Sequence, residues 1–427
     1  MKVYLRTFGC RANHYDTEAV RAMIEGSGHV VVDSSTDADV AVFNSCAVTS
    51  DAEAELRKVV RHAAKRSPTL RSVVMGCAAA LDEQRPVQLK ARALPSVSHV
   101  VGGADMFAIA DALGLDAPVS DVLTRHQTGT RALLRIQDGC DEHCTFCATT
   151  LARGANRSRL PDELVREATA LSEGHSEIVI TGIHIGTYGA DVDTSLGLLM
   201  QRLVRDVPAV RFRLSSIEAT EIDERLFELL TNAPRHVAPH IHAPLQSGSD
   251  RLLKRMGRNW YTSATYSEAL ERLASNMPLL GLGADVIAGF PAETDADHAA
   301  SLALVERLPF TYLHVFPYSP RPGTGAERLP SRVTPALAQA RAAELRAVAA
   351  QKAAAYAAGR AGGTADVIVL GAPRDGERCG MTGDYLDVTL ADPSMARGAR
   401  FDAVLREAEG PIGGKLVADA CVILQRL

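Results

Sequence analysis

Three cysteines, Cys140, Cys144 and Cys147, fall within eight residues in the pattern Cys-x-x-x-Cys-x-x-Cys. Three thiolates on one short loop can wrap a single metal centre, and thiolates are the usual ligands of iron–sulfur clusters. Structural zinc is the competing reading, but it takes four ligands. No fourth cysteine lies nearby, although His143 does. A cluster held by three cysteines leaves one iron with an open position, where chemistry takes place. A second set, Cys10, Cys46 and Cys77, is spread over 68 residues. Each follows closely on an apolar run: Val3–Leu5, Val40–Phe43 and Val73–Met75. If these runs are parallel strands, their carboxyl ends share one edge, and ligands bind at such edges. Three distant cysteines can then converge on one point. Buried core cysteines are the alternative; the shared place at strand ends favours a second metal centre. Cys379 and Cys421 read as ordinary core or surface thiols.

The elements that must position these residues follow from periodicity. In the first ~115 residues, short apolar runs (the three above, His29–Val32 and His99–Val101) alternate with helical patterns such as Asp51–Ala64 and Met106–Leu113, which implies a parallel α/β sheet. Leu115–Thr130 has no periodic pattern and reads as a linker. A second series of strands, Ala132–Ile136, Glu177–Thr181, Arg211–Leu214, His240–Ala243, Ala284–Ala288 and Tyr312–Phe316, is separated by helical patterns including Pro161–Leu171, Tyr266–Leu273 and Asp297–Leu308. That predicts a complete or partial (β/α) barrel with its site at the strand carboxyl ends. Thr334 followed by Pro335 marks a helix start, and an Ala-rich helix runs on to Gly359. Short strands then follow at Ala365–Leu370, Tyr385–Leu390, Phe401–Arg406 and Leu416–Leu424, the pattern of a small β-barrel. The expected fold class is α/β, with domains at 1–115, 130–360 and 361–427.

Composition bounds the rest. Of 427 residues, 46% are hydrophobic and 23% charged, with 46 Lys plus Arg against 51 Asp plus Glu. This is ordinary globular usage, and no apolar run approaches the ~18 residues of a membrane span. With no signal-peptide core at the N-terminus, the expectation is a cytoplasmic protein without a membrane partner. Eight cysteines in such a chain point to metal or thiol chemistry in preference to disulfides. The net charge of −5 means that any nucleic acid must be met by local patches. Arg153, Arg157 and Arg159 are the preferred phosphate contacts, whereas Arg251, Lys254, Arg255 and Arg258 read as a solvated helix face.

The cysteine pattern resembles that of the radical S-adenosylmethionine (SAM) enzymes, and the whole chain resembles their methylthiotransferase family. The residues that carry the resemblance are Thr7-Phe-Gly-Cys-Arg-Ala-Asn13, Tyr15-Asp-Thr-Glu18, Asn44-Ser-Cys-Ala-Val-Thr49, Gly76-Cys77, Ala152-Arg-Gly154, Ser158-Arg159, Pro244-Leu-Gln-Ser-Gly-Ser249, Asp285-Val-Ile-Ala-Gly-Phe-Pro291 and Phe316-Pro-Tyr-Ser319. Thr181-Gly-Ile-His184 and Ser215-Ser-Ile-Glu218 are most like the branch that modifies N6-threonylcarbamoyladenosine in tRNA. The sequence departs from the family at Ala78–Ala80, at Ala148–Leu151 and at Ala47, while all six cysteines are intact.

The resemblance implies a central partial barrel of the radical SAM type and a final β-barrel of the TRAM kind. It implies two 4Fe–4S clusters, one on Cys140, Cys144 and Cys147 that cleaves SAM, and an auxiliary one on Cys10, Cys46 and Cys77 that carries the sulfur. The deoxyadenosyl radical would take hydrogen from C2 of the adenine, and a carbon–sulfur bond would follow. Phe146 is implied near the SAM adenine, and Thr181, Gly182, Ser215, Ser216, Gln246, Asp285 and Gly289 are the strand-end residues offered to SAM. Glu218 is offered to a SAM hydroxyl or to a pair with Arg213, while His184 and His242 read as structural. The implied partners are tRNA and a flavodoxin-like or ferredoxin-like electron donor, with the sulfur donor unspecified. RNA binding by the last domain comes from resemblance, since residues 360–427 carry 8 basic and 10 acidic side chains. Removing that domain is expected to weaken tRNA binding and spare SAM cleavage. Other readings are a sibling enzyme acting on isopentenyladenosine or a ribosomal-protein aspartate, a non-enzymatic iron–sulfur RNA-binding protein, and a zinc protein.

Overall fold

The computed structural model describes residues 1–84, 90–116, 127–371, 377–407 and 416–424. Most of the expected linker Leu115–Thr130, and the side chain of Cys421, lie outside the described residues.

Apolar runs such as Val40–Phe43 need cover on both faces, which a parallel sheet between helices provides. β1 (Lys2–Thr7), α1 (Arg11–Gly26), β2 (Val30–Val32), β3 (Val40–Ser45), α2 (Ser50–Arg66), β4 (Arg71–Gly76), α3 (Cys77–Gln84), β5 (Val97–Gly102) and α4 (Met106–Leu113) build that arrangement. The sheet order is β2-β1-β3-β4-β5, and every pair is parallel. Strand alternation sends Ala41, Phe43 and Val74 to one face, against Leu56, Val60 and Ala63 of α2. Val40, Val42, Val73 and Met75 go to the other, with Val20 and Ile24 of α1 and Ile109 and Leu113 of α4. Because β2 and β3 lie on opposite sides of β1, the strand order reverses between β1 and β3. That crevice is where ligands bind in open α/β sheets.

β6 (Ala132–Arg135), β7 (Gln137–Asp138), α5 (Thr149–Arg153) and β8 (Arg157–Ser158) come next. The chain forms two compact units, and their division does not follow sequence order. The first comprises Met1–Arg125, Arg135–Arg157 and Ser319–Arg328; the second His126–Leu134, Ser158–Tyr318 and Leu329–Leu427. The Cys140–Cys147 loop therefore belongs with the N-terminal sheet. Both cysteine triads thus fall within the first unit.

The second unit carries α6 (Pro161–Ser172), β9 (Glu177–Thr181), α7 (Leu196–Asp206), β10 (Arg211–Leu214), α8 (Glu224–Asn232), β11 (His240–His242), α9 (Asp250–Arg255), α10 (Ser263–Asn276), β12 (Gly281–Ala288), α11 (Asp295–Arg307) and β13 (Tyr312–Pro317). The strands form two three-stranded sheets, β10-β9-β6 and β11-β12-β13. Single parallel bridges, Phe212 with Val237 and Ser216 with His242, carry the arc from one to the other. The barrel is partial. α12 (Pro335–Arg360) starts as read, with the Thr334 hydroxyl accepting from the Leu337 N–H and Pro335 at its first position. β14 (Thr364–Val369), β15 (Cys379–Thr382), β16 (Asp387–Leu390), β17 (Arg400–Glu407) and β18 (Leu416–Leu424) close a small barrel. The four-residue β15, with a glycine inside it, was not legible from periodicity.

The small barrel packs on the amino ends of the partial barrel's strands. Arg211 and Arg213 of β10 are fully buried and share Glu177, the first residue of β9. Their remaining donors go to main-chain carbonyls of the small barrel: Arg211 to Asp366, and Arg213 to Thr382 and Gly383. At the start of β11, His240 stacks on Tyr385 with ring centroids 4.2 Å apart. At the start of β12, a Cβ on Gly281 would fall 2.1 Å from the Asp384 carbonyl oxygen, so only glycine allows this approach. The opposite, carboxyl ends of the strands are left for a site.

Candidate active site

The first triad is built by register. Thr7 of β1 pairs with Asn44 of β3, and Asn44 with Met75 of β4. Cys10 lies three residues beyond Thr7, Cys46 two beyond Asn44 and Cys77 two beyond Met75, so all three leave neighbouring strands at one edge. Cys10 sits at the N-cap of α1 and Cys77 opens α3. Two glycines permit the convergence. Gly9, at φ +117°, passes so close to Cys46 that a Cβ would lie 2.9 Å from its Sγ. Gly76, at φ +97°, would put a Cβ 2.3 Å from Asn44 Oδ1.

Buried Asn13 locks the three loops. Its Oδ1 accepts from the Cys10 thiol at 3.3 Å, and its Nδ2 donates to Asn44 Oδ1 at 2.8 Å and to the Ser45 carbonyl at 2.9 Å. Ser45 Oγ donates to the Met75 carbonyl and accepts from the Ala79 N–H. Cys10 is exposed, whereas Cys46 and Cys77 are buried. Burial pushes the Cys46 thiol up, and Cys77 to about 11, against the opposing pull of Arg153 on Cys77. These thiols stay protonated until a cation takes the proton's place.

The second triad sits on the loop between β7 and α5. Gly139, at φ +72°, would drive a Cβ to 1.8 Å from the Ala155 carbonyl oxygen, so the loop pivots on glycine there. The Cys140 N–H donates to the Gly154 carbonyl at 3.0 Å, and the Cys147 N–H to the Cys144 carbonyl at 3.0 Å. All three cysteines are half-buried. Phe146 is half-buried on the same loop.

Arg153, at the end of α5, connects the two sets. It is buried, and its Nε donates to Cys77 Sγ at 3.2 Å. Nη2 donates to Asp16 at 2.7 Å and Nη1 to Asp138 at 3.2 Å. Asp16 is fully buried and also takes Arg135, whose guanidinium lies 4.8 Å above the Tyr15 ring. Burial opposes the ionised form of Asp138, but Arg153 and Arg135 outweigh it and hold its pKa down. The expectation that Arg153 meets RNA phosphate is thereby corrected, because a buried guanidinium with its donors committed has none to offer outside. Arg159 is likewise taken by Glu167 at 2.8 Å. Of that group, Arg157 is the exposed one, at 61%.

A further cation bears on the first triad. Arg321 is 3% exposed and its positive charge opposes the rise of the Cys46 pKa. One of its nitrogens meets buried Glu53, while Nε and Nη1 are buried with no hydrogen-bond partner. A buried guanidinium with two orphaned donors beside a thiol fits an anionic group at that place. A single zinc at a Zn–S distance near 2.3 Å would hold its thiolates within roughly 4 Å of one another. Among the described residues no three cysteines lie within 4.8 Å, and the one group that close is His242, Asp285 and His314. A multi-iron cluster, which takes each thiolate on a different iron, suits the wider spread.

The residues offered to SAM in the second unit lie where expected in the chain. Thr181 ends β9, Gly182 follows it, and Ser215 and Ser216 follow β10, with Ser215 buried and Ser216 exposed. Gln246 holds φ +60° and donates its N–H to the Asp285 carbonyl at 2.8 Å. Two members have other engagements. Asp285 is bound to His242 and His314. Gly289 donates its N–H to Glu293, and a Cβ there would strike Ala338 of α12, so its glycine is needed for helix packing. His184 pairs with Glu221. Glu218 pairs with Arg258, not Arg213. Arg258 is buried, 4.7 Å from the Trp260 ring centroid, which corrects its reading as part of a solvated face; Arg251 is exposed and bound to Asp297. The joining role of Arg153 and the orphaned donors of Arg321 were missed, although Ala152-Arg-Gly154 had been singled out as a motif.

A doubly wound sheet presenting three cysteines, a CxxxCxxC loop and a partial (β/α) barrel together define a radical SAM enzyme. Residues 134–305 match the model of the Radical SAM superfamily, and residues 2–102 that of an uncharacterized protein family, UPF0004. The chain is 36% identical over 375 residues to the threonylcarbamoyladenosine tRNA methylthiotransferase MtaB of Bacillus subtilis, covering 83% of this chain and 82% of that one. It is 35% identical over 338 residues to MtaB of Thermotoga maritima, covering 77% of each. The tRNA-2-methylthio-N(6)-dimethylallyladenosine synthase of Bacillus pumilus is 30% identical, over 98% of this chain and 86% of that one. The chain belongs to the methylthiotransferase family of radical SAM enzymes. Among solved structures, the radical SAM methyltransferase TsrM of Kitasatospora setae shares the fold, with a TM-score of 0.53 and 14% identity over 76% of each chain. Among the described residues no helix is long and apolar enough to cross a membrane.

Proposed function

We infer that this protein is a tRNA methylthiotransferase that converts N6-threonylcarbamoyladenosine beside the anticodon to its 2-methylthio derivative. The observation that carries the reading is the gathering of both cysteine triads in one compact unit, in a chain 36% identical to a threonylcarbamoyladenosine tRNA methylthiotransferase. When bound, two 4Fe–4S clusters and SAM supply a 5′-deoxyadenosyl radical together with the sulfur and methyl group.

The chain's own residues do the rest. Cys140, Cys144 and Cys147 hold the cluster that takes SAM, and Cys10, Cys46 and Cys77 hold the auxiliary cluster. Asn13 fixes the spacing of the first triad through both neighbouring loops. Arg153 keeps a positive charge against Cys77, and Arg321 keeps one near Cys46, where each offsets the charge of thiolates taken out of water. Phe146 is the SAM contact proposed on the first unit, and Thr181, Gly182, Ser215, Ser216 and Gln246 are the SAM-binding residues proposed on the second. The small β-barrel is proposed to hold tRNA, and a flavodoxin-like or ferredoxin-like protein to deliver electrons.

The test is anaerobic turnover of the reconstituted protein with tRNA carrying threonylcarbamoyladenosine, read by nucleoside mass spectrometry. Wild type is expected to form the 2-methylthio nucleoside. Cys10→Ala, Cys46→Ala and Cys77→Ala together should release 5′-deoxyadenosine without that product, and the corresponding change of Cys140, Cys144 and Cys147 should abolish both. Methylthiolation of isopentenyladenosine tRNA alone would overturn the substrate. Loss of 5′-deoxyadenosine from a folded first variant would overturn the division between the triads.

A further inference from the structure

On the sheet β11-β12-β13, the side chains of His240, His242, Asp285, Tyr312 and His314 lie on one face, to which Gly283 also belongs, as register dictates: His242 lies opposite Gly283, Gly283 opposite Tyr312, and Asp285 opposite His314. Gly283 is the gap in this row. A Cβ there would sit 2.0 Å from Tyr312 Cζ, so its absence lets the tyrosine ring lie across β12 towards the histidines of β11. The Tyr312 hydroxyl is then 3.0 Å from His242 Nδ1 and 2.8 Å from His240 Nε2. On the far side of the His242 ring, Nε2 is 3.1 Å from Asp285 Oδ1, and His314 Nδ1 is 3.2 Å from the same oxygen.

We propose that His242 Nε2, Asp285 Oδ1 and His314 Nδ1 form a binding site for one divalent transition-metal ion, separate from the cysteine centres. Two imidazoles and one carboxylate are the donor set of zinc, iron(II) and manganese(II) sites that keep positions open. Ligand atoms about 2.0–2.2 Å from one ion lie roughly 3–3.5 Å apart, which is the spacing Asp285 Oδ1 makes with both nitrogens. The three atoms lie within 4.8 Å of one another, and no other group of His, Cys, Asp or Glu among the described residues does so. A metal-bound imidazole needs a partner for its other nitrogen, to fix tautomer and ring orientation. Tyr312 gives His242 that partner. In the tautomer with His242 Nδ1–H donating to Tyr312 and the tyrosine hydroxyl donating to His240, the His242 Nε2 lone pair faces Asp285, and a cation can sit between the two acceptors. His242 is buried and Asp285 partly so, while His314 is 53% exposed. The ion would enter from that side and keep its remaining positions there for oxygen donors.

Zinc is the probe. Fully cluster-loaded protein, its thiolates occupied by iron, is dialysed against zinc chloride and its zinc, iron and sulfide are measured. About one zinc per chain beyond the iron is expected. His314→Ala, at an exposed position, should lose that zinc while keeping its iron, sulfide and circular dichroism. Tyr312→Phe should retain the site with affinity reduced about 10- to 100-fold, a change that the removal of one hydroxyl from a purely structural network would not produce. Wild-type protein that takes up no zinc beyond its iron would overturn the proposal and leave a hydrogen-bonded His–Asp–His network. Equal zinc binding by folded wild type and His314→Ala would overturn it too.

Discussion

The Nε–H of Arg153 points at the sulfur of Cys77 across 3.2 Å, and the rest of its guanidinium is clamped by Asp16 and Asp138. The arginine comes six residues after Cys147, at the end of α5, and the cysteine opens α3 of the N-terminal sheet. One buried side chain thus ties the helix that follows the second cysteine set to a member of the first.

Arg153→Met should therefore cost more than a contact. Asp16 keeps Arg135, but a buried carboxylate loses half its compensation, and breaking a buried pair in this way costs about 3–5 kcal/mol. The first unit should unfold at lower urea concentration, and iron retention should fall at the first triad. Wild-type stability together with full iron content in the variant would refute the coupling.

Arg321 gives a redox prediction. Removing a positive charge beside a cluster disfavours its reduced, more negative state, and local charge is one of the terms that set cluster potentials. Arg321→Met, which leaves Glu53 paired with Arg57 at 3.9 Å, should shift one of two cluster potentials to a more negative value. Potentiometric titration followed by electron paramagnetic resonance measures this, and two unmoved potentials would count against the place given to Arg321.

If each triad binds one 4Fe–4S cluster, about eight irons per chain are expected after reconstitution. Gly76→Ala tests the first triad without touching a ligand. The left-handed conformation at φ +97° costs a side-chain-bearing residue about 1–2 kcal/mol, and the new methyl group would collide with Asn44. Cys77 should be displaced, and iron content should fall towards about half while the second triad keeps its share. A variant with full iron would mean that the close approach does not matter.

Glu177 supplies a pH dependence. Burial opposes its ionised form, but Arg211 and Arg213 outweigh that and hold its pKa well below the ordinary value. A depressed carboxyl favours the folded state at pH values above its unfolded pKa of about 4.3 and loses that contribution as the pH falls below it. Urea unfolding of wild type should weaken steeply between about pH 5 and pH 3. Glu177→Gln should be less stable at neutral pH by about 3–5 kcal/mol and should show a shallower acid dependence. Equal acid slopes would contradict the assignment. The same cluster revises what removal of the last domain would do. Without Thr364–Leu427, the two buried arginines lose the carbonyls of Asp366, Thr382 and Gly383. The truncated chain should fail to fold stably, so tRNA binding by the small barrel is better examined with substitutions on its outer face.

Much of this was legible in the chain itself. The runs ending near Cys10, Cys46 and Cys77 are apolar on both faces, which only a covered parallel sheet satisfies, and strand direction then forces the cysteines to one edge. Thr334-Pro335 started its helix where local capping chemistry requires. Tertiary structure decided the partners of the charged residues. Arg153 looked like a phosphate contact and Arg258 like a solvated one, because a sequence shows a charge but not the carboxylate that a distant strand or helix will bring to it. Asp16 and Asp138 reach Arg153 from 137 and 15 residues away, and Glu218 reaches Arg258 from 40. Burial makes such pairing obligatory, since an unpaired charge could not remain there. The choice among carboxylates is made only when the elements pack, and the grouping of His242, Asp285 and His314 across three strands was settled in the same way, by register.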